Sequence, residues 1–379
     1  MSIIHVESDF AIIDEQQFHN EIFREIGIKM RPELFQITSK FMPDSQFEAI
    51  QKRGVTDKKR RKRRLLDTSE DVKSIQKLAE RIQKAGEEKG YFQKTDTKDN
   101  NKLAREYAKK ALEVCLPHST TSSEQIIEIS DFSNIEKPEK IDNLLCNGLI
   151  SNWIRNPGNS AKIVENSENL QFFVPPESTF HIGDVRNVEQ FVRIHDTPFD
   201  LIIADPPWFS HSVKRKKTYE MNESCLDDLN LPLISTPNAL IIFWMTSRKG
   251  IEEEMNGRFD TWNMRVVGRW KWLKVTLEGE TVGEFDNEQH KLPFETLVLA
   301  MRKGAEPVDT LPQKFTFASI PMSVHSHKPP LLDLLRHFRV PFSNPLELFA
   351  RSLLPATHSI GFEPLLLQSE RVFQFQFQK

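Results

Sequence analysis

Beyond residue 165 the chain carries a series of short, unbroken apolar runs, and these restrict its fold more than any other feature. They are Leu170-Gln171-Phe172-Phe173-Val174, Phe199–Ala204, Ala239–Trp244, Leu297–Ala300 and Leu346–Ala350, with helical patterns between them. Strands half-exposed to water alternate apolar and polar residues. Runs that do not alternate are buried on both faces, as in a mostly parallel sheet with helices on either side. A doubly wound, Rossmann-like α/β domain over residues 165–379 is the expectation. No Gly-x-Gly occurs anywhere in the chain, which argues against a dinucleotide fingerprint or a Gly-rich phosphate loop.

The rest of the chain divides by charge. Residues 1–45 form an N-terminal segment in which Phe10–Ile13 suits a short strand. Residues 46–164 read as a charged linker and helical region. Val72, Ile75, Leu78, Ala79, Ile82 and Ala85 recur at helical spacing, and so do Leu103, Ala104, Tyr107, Ala108, Ala111 and Leu112. The run Lys58-Lys59-Arg60-Arg61-Lys62-Arg63-Arg64 suits a solvated linker, a nuclear-import signal or a phosphate-binding tail, and one segment can be all three. Nuclear residence is expected from it, with cytoplasm and mitochondrion as alternatives. Net charge is only −3, so any nucleic-acid surface must be local. Three scattered cysteines make neither a disulfide framework nor a zinc spacing. No apolar run is long enough to span a membrane. His325 and His327 lack partner cysteines or a nearby carboxylate pair, so they read as loop histidines and no metal is expected.

The chemistry concentrates in Asp205-Pro206-Pro207-Trp208, directly after the run Leu201–Ala204. Ligands of open α/β sheets bind beyond the carboxyl ends of strands. A methyl transfer to the exocyclic amine of adenine needs just such a corner. The N6 lone pair is delocalised into the ring, so both N–H bonds must be held while the nitrogen pyramidalises. A carboxylate accepts one, and a backbone carbonyl placed by the stiff Pro-Pro turn accepts the other. The aromatic that follows can stack on the base. The bland alternative is a buried strand-ending turn in which Trp208 merely packs.

Around this corner the sequence resembles the adenine-N6 methyltransferases of the DPPW class, the group containing the catalytic subunit of the mRNA adenosine methyltransferase. It is most similar to the methyltransferase-like protein 4 subfamily. The resemblance runs from Phe172 to Gln368. Phe173–Ser178, Gly183–Asn187, Asp205–Trp208, Ser212–Arg215 and Trp244–Arg248 carry it, followed by Trp272–Val275, Pro293–Leu297, Val324–Pro330 and Glu347–Arg351. It implies S-adenosylmethionine as cofactor and a permuted motif order, with Glu347–Arg351 as the cofactor strand. It also implies that Asp184 and Val185 lie beside the cofactor's adenine, and that Asp205 and Pro207 serve the target amine and flank the methionine part. Lys328 and Arg351 would meet the cofactor's carboxylate or ribose, and Phe349 would line its pocket. The family's closing Asn-Trp-Thr-x-x-Gly-Asn-Glu segment corresponds to Ala356–Glu363. Gly361 and Glu363 are kept there, and Phe362 replaces the usual polar contact.

On the substrate side, Lys214-Arg215-Lys216-Lys217 suits phosphate contacts that hold a strand without reading its sequence, and Tyr219 suits stacking on an extruded adenine. The reading is therefore methylation of adenine N6 in DNA, small nuclear RNA or both, by a chain expected to act as a monomer. The alternatives are a non-catalytic nucleic-acid-binding relative of the fold, and methylation of cytosine N4 or a protein amide.

Overall fold

The computed structural model describes residues 2–41, 70–95, 99–114, 125–129, 138–140, 152–208, 223–246, 250–285 and 292–376. Twelve strands form one sheet. In chain order they are β1 (Ile3–Val6), β2 (Phe10–Ile13), β3 (Ile126–Glu128), β4 (Trp153–Arg155), β5 (Thr179–Ile182), β6 (Phe199–Ala204), β7 (Ser235–Met245), β8 (Met264–Lys274), β9 (Phe294–Arg302), β10 (Lys314–Ser319), β11 (Pro345–Leu348) and β12 (His358–Gly361). Their spatial order is β1-β2-β10-β8-β9-β7-β6-β11-β12-β5-β4-β3. The central five, β7-β6-β11-β12-β5, are all parallel. Strand β9 runs antiparallel between β7 and β8.

Alternation along β6 explains the layers. Ile202 and Ala204 face one side, where they pack with Val188, Phe191 and Val192 of α4 (Asn187–His195) and Ile251, Met255 and Phe259 of α5 (Ile251–Thr261). Leu201 and Ile203 face the other side, with Phe18 of α1 (Glu15–Ile22) and Leu332, Leu334 and Leu335 of α6 (Leu332–His337). The strand is buried on both faces, which is why its sequence does not alternate. Each of the larger side chains contributes roughly 1.5–3 kcal/mol by burial.

The doubly wound, mostly parallel expectation therefore holds for Phe199–Ala204, Ala239–Trp244 and Leu346–Leu348, whereas Leu297–Ala300 is a central strand that runs antiparallel to both neighbours. Another run behaves differently. Gln171–Val174 pairs with Lys162–Glu165 in a separate three-stranded sheet instead of joining the main one. The sheet also crosses the divisions expected near residues 45 and 164, because β1 to β4 belong to it. The two charged helices form as their periodicity predicts: α2 (Glu70–Glu88) buries Val72, Ile75, Ile82 and Ala85, and α3 (Lys102–Ala111) buries Ala104, Ala108 and Ala111. Leu103 and Leu112 lie outside that stripe and are exposed.

Chain direction switches between β6 and β11: from β6 the chain goes on to β7 on one side, and from β11 to β12 on the other. That switch point, at the carboxyl edge, is where an open α/β sheet leaves room for a ligand.

Candidate active site

Because the central strands are parallel, their carboxyl ends deliver the expected site residues to one edge. Asp184 and Val185 follow β5, Asp205–Trp208 follow β6, Phe349–Arg351 follow β11, and Glu363 follows β12. Two backbone bonds tie neighbouring tips together, Gly183 N–H to the Gly361 carbonyl (2.8 Å) and Ala350 N–H to the Ile360 carbonyl (3.0 Å). A Cβ on Gly361 would lie 2.9 Å from Ala350 N and 3.0 Å from its carbonyl oxygen, so only glycine permits this approach. Phe349 occupies the left-handed region at φ 62°. This conformation costs a bulky residue on the order of 1–3 kcal/mol and is typical of ligand-holding turns.

The corner itself is pinned from behind. Trp208 N–H donates to the Pro206 carbonyl (2.7 Å), and the indole Nε1–H donates to the Trp244 carbonyl at the end of β7 (2.8 Å). Trp208 is 7% exposed and packs into the cluster containing Phe243 and Met245. The ring thus buttresses the turn, and it does not stand open as a stacking platform. The expectation of base stacking by Trp208 is corrected to this extent.

Asp205 is half-buried at the corner, with its side chain 24% exposed. Its Oδ2 lies 3.1 Å from Lys328 Nζ, which also lies 3.0 Å from Glu295 Oε2. Glu295 in turn pairs with Lys274. The result is a chain of alternating charges, Asp205–Lys328–Glu295–Lys274, along the sheet edge. Burial lifts the Asp205 carboxyl above its ordinary value, and Lys328 opposes the rise. Burial would also raise Glu295, but Lys328 and Lys274 outweigh it and hold that carboxyl at about 2. Burial would lower Lys328, yet its two carboxylates keep its pKa raised. Lys328 therefore stays a cation, and its ammonium sits 5.6 Å from the Trp244 ring centroid.

A small cleft opens beside this chain, lined by Ile203, Trp244, Lys328, Glu347 and Ser352 among others. Glu347 has a buried Oε2 without a hydrogen-bond partner. Burial, with a smaller push from Asp205, raises its carboxyl to about 8. A buried, unpartnered carboxyl at the mouth of a cleft suits an ammonium or hydroxyl group of a ligand.

The remaining expected residues are engaged within the protein. Asp184 caps the following turn through Arg186 N–H (2.9 Å) and pairs with the Arg186 guanidinium (2.6 Å). Burial would raise the Asp184 carboxyl, but Arg186 outweighs it and lowers it. Val185 is fully buried and packs with Val188 and Phe191 beneath the site. Arg351 holds Glu363 at 3.0 Å and donates to the His325 carbonyl at 2.5 Å. Lys214, Arg215, Lys216, Lys217 and Tyr219, with the basic run 58–64, lie outside the described residues. Sequence reasoning did not single out Glu295, Lys274 or Glu347. All three lie within segments that carry the family resemblance, each as a charged residue beside apolar ones in a strand.

With this geometry in view, comparison with known proteins is specific. Residues 199–363 match the MT-A70 family model. A Caenorhabditis elegans protein named DNA N6-methyl methyltransferase is 54% identical over 97% of this chain and 98% of its own. The human N(6)-adenine-specific methyltransferase METTL4 is 33% identical over 55% of this chain and 48% of its own. The Pyricularia oryzae N6-methyladenosine RNA methyltransferase MTA1 is 29% identical over 54% of this chain and 57% of its own. The chain belongs to the MT-A70 family.

Proposed function

We propose that this chain is an S-adenosylmethionine-dependent methyltransferase acting on adenine N6 in nucleic acid, and that the Asp205–Trp208 corner receives the target amine. The observation that carries the reading is the placement of Asp205 at the switch point, on a turn pinned by Trp208 and beside a charged cleft. S-adenosylmethionine, when bound, supplies an electrophilic methyl on sulfonium. The donors present suit it: Lys328 and Arg351 for its carboxylate, Glu347 and Asp184 for its ammonium or hydroxyls, and Phe349 for its apolar surface.

The chain's part in the reaction is chiefly positioning. The Asp205 carboxylate accepts one N–H of the amine, and a carbonyl of the Pro-Pro turn, that of Pro207, accepts the other. This directs the nitrogen lone pair out of the ring plane. Lys328 opposes the cost of burying the Asp205 carboxylate and so favours the ionised, accepting form. A strong base is not required, since the amine becomes acidic as the methyl is transferred. Lys214–Lys217 hold the phosphates of the strand.

DNA is the proposed substrate, because a relative that matches across nearly the full length is named for DNA. The test offers the purified chain matched DNA and RNA oligonucleotides with isotopically labelled donor, followed by nucleoside mass spectrometry. Labelled N6-methyldeoxyadenosine from DNA is expected. Label only in RNA would move the substrate, and label on cytosine would move the target atom.

A further inference from the structure

Helix α1 presents two metal-ligand side chains on one face. Glu15 and His19 stand four residues apart, a spacing that brings i and i+4 side chains together. His327, from the segment between β10 and α6, meets them from the opposite side, its Nε2 in contact with Glu15 Oε1. One ligand atom from each of the three residues lies within 4.8 Å of the other two. The cluster is sealed: Glu15 and His19 are each 1% exposed and His327 is 7%.

Its hydrogen bonding is incomplete. Both ring nitrogens of His19 and Oε2 of Glu15 are buried without a partner. A neutral imidazole has one donor and one acceptor nitrogen, and neither is met here. Phe18 and Phe373 pack edge-on against the His19 ring, so its surroundings supply no polar replacement on those sides. Groups left unmet at such a depth call for an explanation, and an ion is among the standard ones.

We propose that Glu15, His19 and His327 bind a divalent transition-metal ion of the zinc type, which fastens the N-terminal helix to the segment that carries Lys328. Two imidazole nitrogens and one carboxylate suit zinc, whereas calcium and magnesium demand oxygen ligands throughout. His19 also lines the cleft beside Lys328 and Glu347. The ion's role is structural. It sets the residue before Lys328, and hence the approach of that ammonium to Asp205. The inference does not rest on the methyl-transfer reading, since metal content is measured without turnover.

The test uses the full chain without a polyhistidine tag. After exposure to zinc chloride and removal of excess, elemental analysis is expected to find about one zinc per chain. Cobalt(II) chloride added to the metal-stripped chain is expected to give the visible absorption of a low-coordinate site, abolished by zinc chloride. Zinc chloride should also raise the melting temperature of the stripped chain. His19→Ala and Glu15→Gln should each lose the cobalt bands. If those variants do not fold, the wild-type cobalt spectrum and melting shift decide alone. A wild-type chain that retains no zinc, shows no cobalt bands and melts unchanged overturns the proposal. Undiminished zinc in a folded His19→Ala, His327→Ala double variant overturns it as well.

Discussion

Replacing Lys328 with Met removes the one cation shared by Asp205 and Glu295 while keeping most of the apolar stem. At 3.1 Å and an effective dielectric near 20, the lost Lys328–Asp205 attraction is about 5 kcal/mol before desolvation is subtracted. Breaking a buried pair by removing one partner costs roughly 3–5 kcal/mol net. The lower end applies here. Glu295 keeps Lys274, and Asp205 can escape its isolation by taking a proton. For 379 residues the unfolding entropy is about 0.8 kcal/mol/K, so a loss of about 3 kcal/mol lowers the melting temperature by about 4 °C. The sign with pH is fixed. Without Lys328 the folded-state pKa of Asp205 rises further, so the variant's stability is kept at low pH and lost as pH climbs through that value. The gap between wild type and variant should therefore widen as pH rises. Calorimetric melts from acid to alkaline pH provide the assay. In turnover, the acid limb of the kcat/KM profile should move to higher pH, since Asp205 must be ionised to accept an N–H. A variant that melts like the wild type, or whose deficit narrows as pH rises, would refute the charge-chain argument.

Two further outcomes are expected. Glu347 has a raised folded pKa, so its neutral form is fully stabilising below about pH 4.5 and that stability is lost as pH rises towards about 8; Glu347→Gln should flatten this decline in melts across that range, and an identical decline in the variant would remove Glu347 as its source. Changing Lys214–Lys217 to Ala should weaken nucleic-acid binding and reduce the slope of log affinity against log salt by roughly 0.7–0.9 per lost phosphate contact, read by fluorescence anisotropy; an unchanged slope would reject the phosphate role.

Much of the fold is legible in the sequence because burial on both faces leaves an unmistakable mark. Phe199–Ala204 and Ala239–Trp244 can be little else than central strands, and the corner after the first of them marks the edge that matters. What escapes is what depends on partners far along the chain. Gln171–Val174 reads like the other strands, yet its apolar residues do not say which sheet they join. Phe10–Ile13 is recognisable as a strand, but not as a neighbour of Lys314–Ser319. The site divides in the same way. Asp205–Trp208 is local and can be read directly. The partnership of Asp205 with Lys328 and Glu295 spans more than a hundred residues in one case and ninety in the other, and only the sheet brings them together. Trp208 shows the opposite failure. Its residue type invites a stacking role, whereas its hydrogen bond to the Trp244 carbonyl makes it a support.

The most direct measurement compares wild type with Asp205→Ala, both checked for an intact fold by circular dichroism and melting. Binding of S-adenosylmethionine is followed by calorimetry, and N6-methyladenine in an oligonucleotide by mass spectrometry. The account predicts a folded Asp205→Ala chain that no longer forms N6-methyladenine, beside a wild type that does. Undiminished N6-methyladenine from the folded variant would contradict it.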